Sequence, residues 1–167
     1  MKSPLVAIVL GSDSDLPLIK SGIESLKTFN LPYEVRILSA HRCPDEVRKF
    51  ARSASKRGIK AIIACAGMAA HLPGVIASFT IVPVIGVPLP SKVLKGVDSL
   101  ASILQMPAGI PVATMSIGEP GVRNGILLAL EIIALDNERV RKQLIRHKDN
   151  LRKKVLEKDE KIAAMFS

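Results

Sequence analysis

With 167 residues, 48% of them apolar and 23% charged, the chain is long enough to bury one domain and too short for two. No apolar run reaches the roughly 20 residues that cross a bilayer. The net charge of +9 comes with no Trp and a single Tyr, Tyr33, and this lack of stacking residues argues against a nucleic-acid binder.

In chain order, LVAIVL (residues 5–10) reads as a first strand. It ends in a charged loop rather than a small-residue cleavage site, so it is not a signal peptide. An amphipathic helical stretch follows to Phe29, then YEVRIL (33–38) as a second strand. PDEVRKFARSASKRG carries Pro44 in a first-turn position and Gly58 as a stop, the signature of a helix. IKAIIACA (59–66) is a third strand, and AAHLPGVIASF (69–79) a helical connection. VPVIGVP (82–88) and IPVATMSI (110–117) are two further strands, with VLKGVDSLASILQMP (93–107) between them as a short helix.

Strands rich in Val, Ile and Ala on both faces, alternating with helices, predict a single doubly wound α/β domain on a parallel sheet. GVRNGILLALEIIAL (121–135) is apolar almost all round, more than a peripheral helix needs. After it Val140, Leu144, Leu151, Val155 and Ile162 form a stripe on a basic helix. From Glu138 to Lys161 ten Lys or Arg face five Asp or Glu, so this segment holds +5 of the +9. An oligomer is expected, with the apolar helix at a subunit contact and the basic helix over a neighbour. Packing of both within one chain is the alternative. The chain divides into a catalytic core over 1–135 and a C-terminal basic amphipathic helix over 136–167.

Ligands of doubly wound sheets bind beyond the C-terminal ends of the strands. There the sequence places Gly11, Ser12, Asp13, Ser14 and Asp15 after the first strand, and Ser39, Ala40, His41 and Arg42 after the second. Ala66, Gly67, Met68, Ala69, Ala70 and His71 follow the third, and the fourth runs into GVPLPSK. Small residues let backbone amides approach a ligand. Singly, each polar residue has a plainer use. Ser12 or Ser14 caps a helix, His41 and Arg42 form a surface pair, and His71 is a core histidine. Cys43 replaces a hydroxyl cap ahead of Pro44 and has no oxyanion hole or orienting group to make it a nucleophile.

Together the loops say more. Arg42 and the serines can hold a phosphate, Asp15 can accept from a ribose hydroxyl, and His41 offers a side chain of the type that titrates near neutral pH. There is no metal cluster, Cys43 and Cys65 form neither a metal spacing nor a disulfide framework, and GSDSDL lacks the later glycines of a dinucleotide fingerprint. What remains is cofactor-free acid–base chemistry on a small phosphorylated molecule, in a cytoplasmic protein.

GSDSD, SAHR before a proline, AG with AAHLPG, GVP, LKGVDSL, QMPAGIPVAT and IG with a later Asn resemble the catalytic-subunit family of phosphoribosylaminoimidazole carboxylase. Within it the chain is similar to the mutases acting on 5-(carboxyamino)imidazole ribonucleotide, over about residues 6–135. The resemblance implies a flavodoxin-like three-layer sandwich with a five-stranded parallel sheet, assembled as a homo-octamer. It also implies transfer of a carboxyl group from an exocyclic amine to the adjacent ring carbon, without a metal or organic cofactor. By the same resemblance Ser14, Ser39 and Arg42 grip the 5′-phosphate and Asp15 the ribose. Ser12, Ala66 and Gly67 border the base, His41 transfers the proton, and His71 joins the pocket wall across a subunit boundary.

Three features depart from the family pattern. Met68 stands where glycine is usual, Cys43 replaces a threonine, and Glu119, Pro120 and Arg123 occupy a segment that is normally Ala-rich. Glu119 and Arg123 are spaced to pair on a helix. The alternatives are a related class that carboxylates aminoimidazole ribonucleotide with free carbon dioxide and tends to carry SAHK, and a non-catalytic nucleotide-binding module.

Overall fold

The computed structural model describes residues 3–166, apart from the side chain of Ser21. Five parallel strands, β1 (Val6–Leu10), β2 (Tyr33–Ile37), β3 (Ala61–Ala66), β4 (Val84–Pro88) and β5 (Ala113–Thr114), lie in the order β2-β1-β3-β4-β5. The helices are α1 (Leu16–Thr28), α2 (Pro44–Ala54), α3 (Leu72–Ala77), α4 (Val97–Leu104), α5 (Glu119–Ala134) and α6 (Glu138–Phe166). This is the flavodoxin-like order, in which the chain leaves β1 in one direction for β2 and returns past it to β3.

The period-2 alternation of strand side chains divides the core in two. Val6, Ile8, Leu10, Ile63, Cys65, Ile85 and Val87 face α1, α5 and the start of α6. Ala7, Val9, Ile62, Ala64, Ala66 and Val84 face α2, α3 and Ile103 of α4. Helices on both faces bury β1, β3 and β4 completely, which is why those strands read as unbroken apolar runs. β2 is an edge strand with Arg36 and Ile37 exposed.

The expected fifth strand over 110–117 shrinks to Ala113–Thr114. It is the other edge of the sheet, and its ladder with β4 covers two residues, with Met115 N–H also donating to the Gly86 carbonyl at 2.9 Å.

The apolar helix packs one face within the chain, leaving Leu127, Leu128 and Ile132 partly buried. α5 buries Val122, Ile126, Ala129, Leu130 and Ile133 against the sheet and α1. Close approach makes this possible. A Cβ on Gly22 of α1 would lie 2.5 Å from Ile126 Cδ1 and 2.6 Å from Val122 Cγ1. α6 is different. Arg139 ties its first turn to the Phe29 and Asn30 carbonyls, and Val140 and Leu144 are buried, but every residue from Lys148 to Phe166 is exposed. At 1.5 Å per residue, its 29 residues reach about 43 Å.

Candidate active site

Because the strands are parallel, the segments after β1, β2 and β3 leave the sheet at the same end, flanking the point where strand order reverses. The hollows lined by Glu131, Leu135 and Ile145, and by Arg52, Phe79 and Ile81, lie on the helical flanks away from it.

After β1, residues 13–15 form a 3-10 turn. Ser12 caps it in extended conformation, its Oγ accepting the Ser14 N–H at 3.3 Å. Ser14 Oγ donates to Ser12 Oγ at 2.9 Å, and Ser12 Oγ donates to Asp13 Oδ1 at 3.2 Å. The capping use of Ser12 is therefore real, but it serves this turn and not α1. Asp15 stands at the N-cap of α1 with no side-chain capping bond. Burial pushes the Asp15 carboxyl above its ordinary value; a hydrogen bond with the Ser12 backbone opposes this, and the charge of Asp13 adds to it. A half-buried carboxylate without a cap role is available to a ligand hydroxyl.

After β2, Ser39 Oγ accepts from the Arg42 backbone N–H at 3.3 Å and from Arg42 Nε at 3.4 Å. Arg42 Nη2 donates across to the Gly11 carbonyl at 3.0 Å, joining the first two loops. Cys43 occupies the N-cap of α2 ahead of Pro44 as its position suggested, yet makes no capping bond. Its thiol instead turns back, accepting from Ser39 N–H at 3.1 Å and donating to the Ser39 carbonyl at 3.3 Å. Cys43 thus holds the serine that holds Arg42.

His41 is exposed at the end of this loop, with Nε2 2.8 Å from Nδ1 of His71 and the rings tilted by 70°. His71 is exposed at the N-cap of α3, so it is not a core histidine. One chain supplies both imidazoles, because the first turn of α3 begins immediately beyond the third loop.

Ala66 is buried at the end of β3, and its carbonyl accepts from Leu89 N–H at 2.8 Å. A Cβ on Gly67 would make only ordinary contact, 3.7 Å from the Leu89 carbonyl, and one on Gly11 would meet nothing. The fold does not demand glycine at either place, and the open backbone there is free for a ligand. Met68, by contrast, is a non-glycine residue at φ 53° with 69% of its surface exposed.

Sequence reasoning missed what supports the loop after β4. Fully buried Ser99 donates to the Leu89 and Gly96 carbonyls, at 2.7 and 2.9 Å, and Ser91 Oγ donates to Asp98 Oδ1 at 2.9 Å. The signal was present in KGVDS, where Lys95 and Gly96 adopt successive left-handed conformations before α4. Glu119 and Arg123 do pair, at 2.7 Å, on the exposed side of α5. Among the described residues no helix is long and apolar enough to cross a membrane.

A family profile described as AIR carboxylase matches residues 5–154. The chain is 50% identical over 167 residues to the N5-carboxyaminoimidazole ribonucleotide mutase of Pyrococcus horikoshii, covering 99% of this chain and 93% of that one. It is 48% identical over 159 residues to the Bacillus subtilis protein of the same name, covering 95% and 98%. The crystal structure of Treponema denticola PurE superposes with a TM-score of 0.85 at 31% identity, over 95% of this chain and 98% of that one.

Proposed function

The chain belongs to the AIR carboxylase family, and on that premise we propose that it is a mutase of purine biosynthesis. It converts N5-carboxyaminoimidazole ribonucleotide into the isomer carboxylated on the adjacent ring carbon. The observation that carries the site assignment is the convergence of the first three strand-end loops, with His41 2.8 Å from His71 beside the Arg42–Ser39–Gly11 linkage.

Arg42, Ser39 and Ser14 hold the 5′-phosphate through charge-assisted and hydroxyl hydrogen bonds, and Asp15 accepts from the ribose. Their anchoring sets the base over Ser12, Ala66 and Gly67. His41, as imidazolium, gives its proton to the exocyclic nitrogen. The nitrogen–carboxyl bond breaks, and carbon dioxide leaves an electron-rich aminoimidazole. The ring carbon attacks the trapped gas and forms the new carbon–carbon bond. Neutral His41 then takes the proton from that carbon, and aromaticity returns. One proton is given and one taken back, so the isomerisation balances. Holding both fragments in one site replaces a bimolecular encounter, an effect that reaches about 7–11 kcal/mol in well-oriented cases. His71 fixes the orientation of the His41 ring throughout.

Residues 1–135 contain all of these groups. Assembly with further copies, as in the expected homo-octamer, is supported by the exposed apolar residues Leu135, Leu151, Val155 and Ile162 toward the end of the chain, which a second copy can cover; a cytoplasmic location follows from the purine-biosynthesis reading. The relatives' shared name favours the mutase over direct carboxylation by free carbon dioxide and over a non-catalytic binding module.

An ultraviolet assay with two parallel substrate sets tests the reading. One contains the carbamate nucleotide; the other contains aminoimidazole ribonucleotide with bicarbonate, at low and at raised carbon dioxide. Fast product from the first and little from the second at low carbon dioxide is expected. Efficient product from the second alone makes the protein a carboxylase, and product from neither refutes the family's chemistry for this chain.

A further inference from the structure

We infer that Ser99 is a positioning residue for the transfer: its hydroxyl, acting through the Leu89 carbonyl, sets the Ala66–Gly67 backbone against which the base lies. This deepens the mutase reading above and rests on it. Ser99 is the one buried polar side chain among the described residues, in the first turn of α4. One of its acceptors is ordinary for a serine in a helix, the Gly96 carbonyl three residues back, at 2.9 Å. The other is not local. The Leu89 carbonyl is ten residues away in the chain and closer, at 2.7 Å. A hydroxyl has a single proton to offer, and the shorter distance marks Leu89 as its main acceptor.

Leu89 carries the effect to the site. Its N–H donates to the Ala66 carbonyl at 2.8 Å, one step beyond the last registered β3–β4 pair, Ala66 with Pro88. Its carbonyl oxygen, the atom that Ser99 holds, lies 3.7 Å from where a Cβ on Gly67 would stand, and its own Cβ lies 3.8 Å away. One peptide therefore backs both residues that border the base. Leu89 is itself buried, so without the hydroxyl its carbonyl turns toward another donor and the peptide moves with it. The phosphate grip belongs to Arg42, Ser39 and Ser14 in the first two loops and is left in place. Substrate is then still held, with its ring displaced from His41, and a small misplacement of reacting groups costs up to about 10²-fold in rate.

The test measures steady-state kinetics on the carbamate nucleotide, with melting temperatures, for the wild type, Ser99→Ala and Ser99→Cys. Ile103→Val and Ile103→Ala remove buried atoms from the same helix without touching the hydroxyl, and they bracket the loss of stability. Ser99→Ala should lower kcat by about tenfold or more and change KM by less than about threefold. Ser99→Cys keeps a weak donor and should fall between it and the wild type. Should the Ala variant not fold, a kcat lowered in the Cys variant with KM unchanged carries the result. The Ile103 variants should keep kcat near the wild-type value whatever their melting temperature. Wild-type kcat in the folded Ser99 variants overturns the inference, as does a loss that falls on KM. So does an Ile103 variant of equal melting temperature that loses as much kcat, because helix stability and not the hydroxyl is then responsible. A wild type that leaves the nucleotide unconverted refutes instead the mutase reading beneath it.

Discussion

His41 and His71, thirty positions apart in the chain, share one hydrogen bond of 2.8 Å between Nε2 of the first and Nδ1 of the second. Only one of the two facing nitrogens can carry a proton in that contact, so each ring constrains the tautomer of the other. The His41 Nδ1 position is thereby set by its partner, as in sites where a second group orients the acid–base residue.

Replacing His41 with Asn should leave nucleotide binding within a few-fold of wild type and lower turnover by about 10²–10⁴-fold, the usual worth of a positioned acid–base group. Replacing His71 with Ala should act through His41, lowering kcat more than it raises KM. Steady-state kinetics and calorimetric binding of the product nucleotide check both. Near-normal turnover in His41→Asn removes it from the mechanism.

Arg42 bridges two loops with Ser39 Oγ and the Gly11 carbonyl as its partners. Removing a charged hydrogen-bonding partner costs about 1.5–3 kcal/mol. Arg42→Ala should therefore raise KM about 10–100-fold. The same variant should bind the dephosphorylated nucleoside no worse than wild type does. Equal loss for nucleotide and nucleoside indicates a role in loop structure instead of a phosphate grip.

Asp15 is raised above its ordinary value of 3.8, chiefly by burial. A raised carboxyl binds its proton more tightly in the folded chain, so its contribution to stability is present below pH 3.8 and lost as pH rises through the folded value. At neutral pH the ionised group weakens the fold, and Asp15→Asn should melt no lower than wild type there. The advantage should vanish in acid below the ordinary value, while KM for the nucleotide rises. A clear fall in melting temperature at neutral pH contradicts a ligand role for Asp15 and makes it structural.

A Cβ on Gly121, in the first turn of α5, would fall on the Ser116 carbonyl oxygen. Backbone cannot give way as a flexible side chain can, so Gly121→Ala should destabilise by about 3 kcal/mol. Gly11→Ala, where a Cβ meets nothing within 4 Å, should leave the melting temperature unchanged and affect only the site. Urea unfolding of the two variants separates a glycine the fold needs from one the ligand needs.

The sequence by itself determined the fold class and which residues gather at the candidate site. Strands buried on both faces must be apolar at every position, and β1, β3 and β4 declare this directly in VAIVL, AIIACA and VIGVP. Residues at the ends of parallel strands must gather at one edge of the sheet, so GSDSD, SAHR and the residues up to His71 could be grouped before any contact was known. The length of β5 was less legible: IPVATMSI reads as a full strand, yet only Ala113 and Thr114 pair with β4. The destination of the apolar α5 was likewise undecided, because periodicity shows how much of a helix is buried and not what buries it.

Contacts between residues distant in the chain belonged to the tertiary structure alone. The imidazole pair, the reach of Arg42 to Gly11, and the grip of Ser99 on the Leu89 carbonyl each depend on where the chain re-enters the sheet. The left-handed backbone of Met68 depends on how the third loop bends to bring His71 to the start of α3. Local chemistry selects which residues can act; only the crossover geometry decides which of them meet.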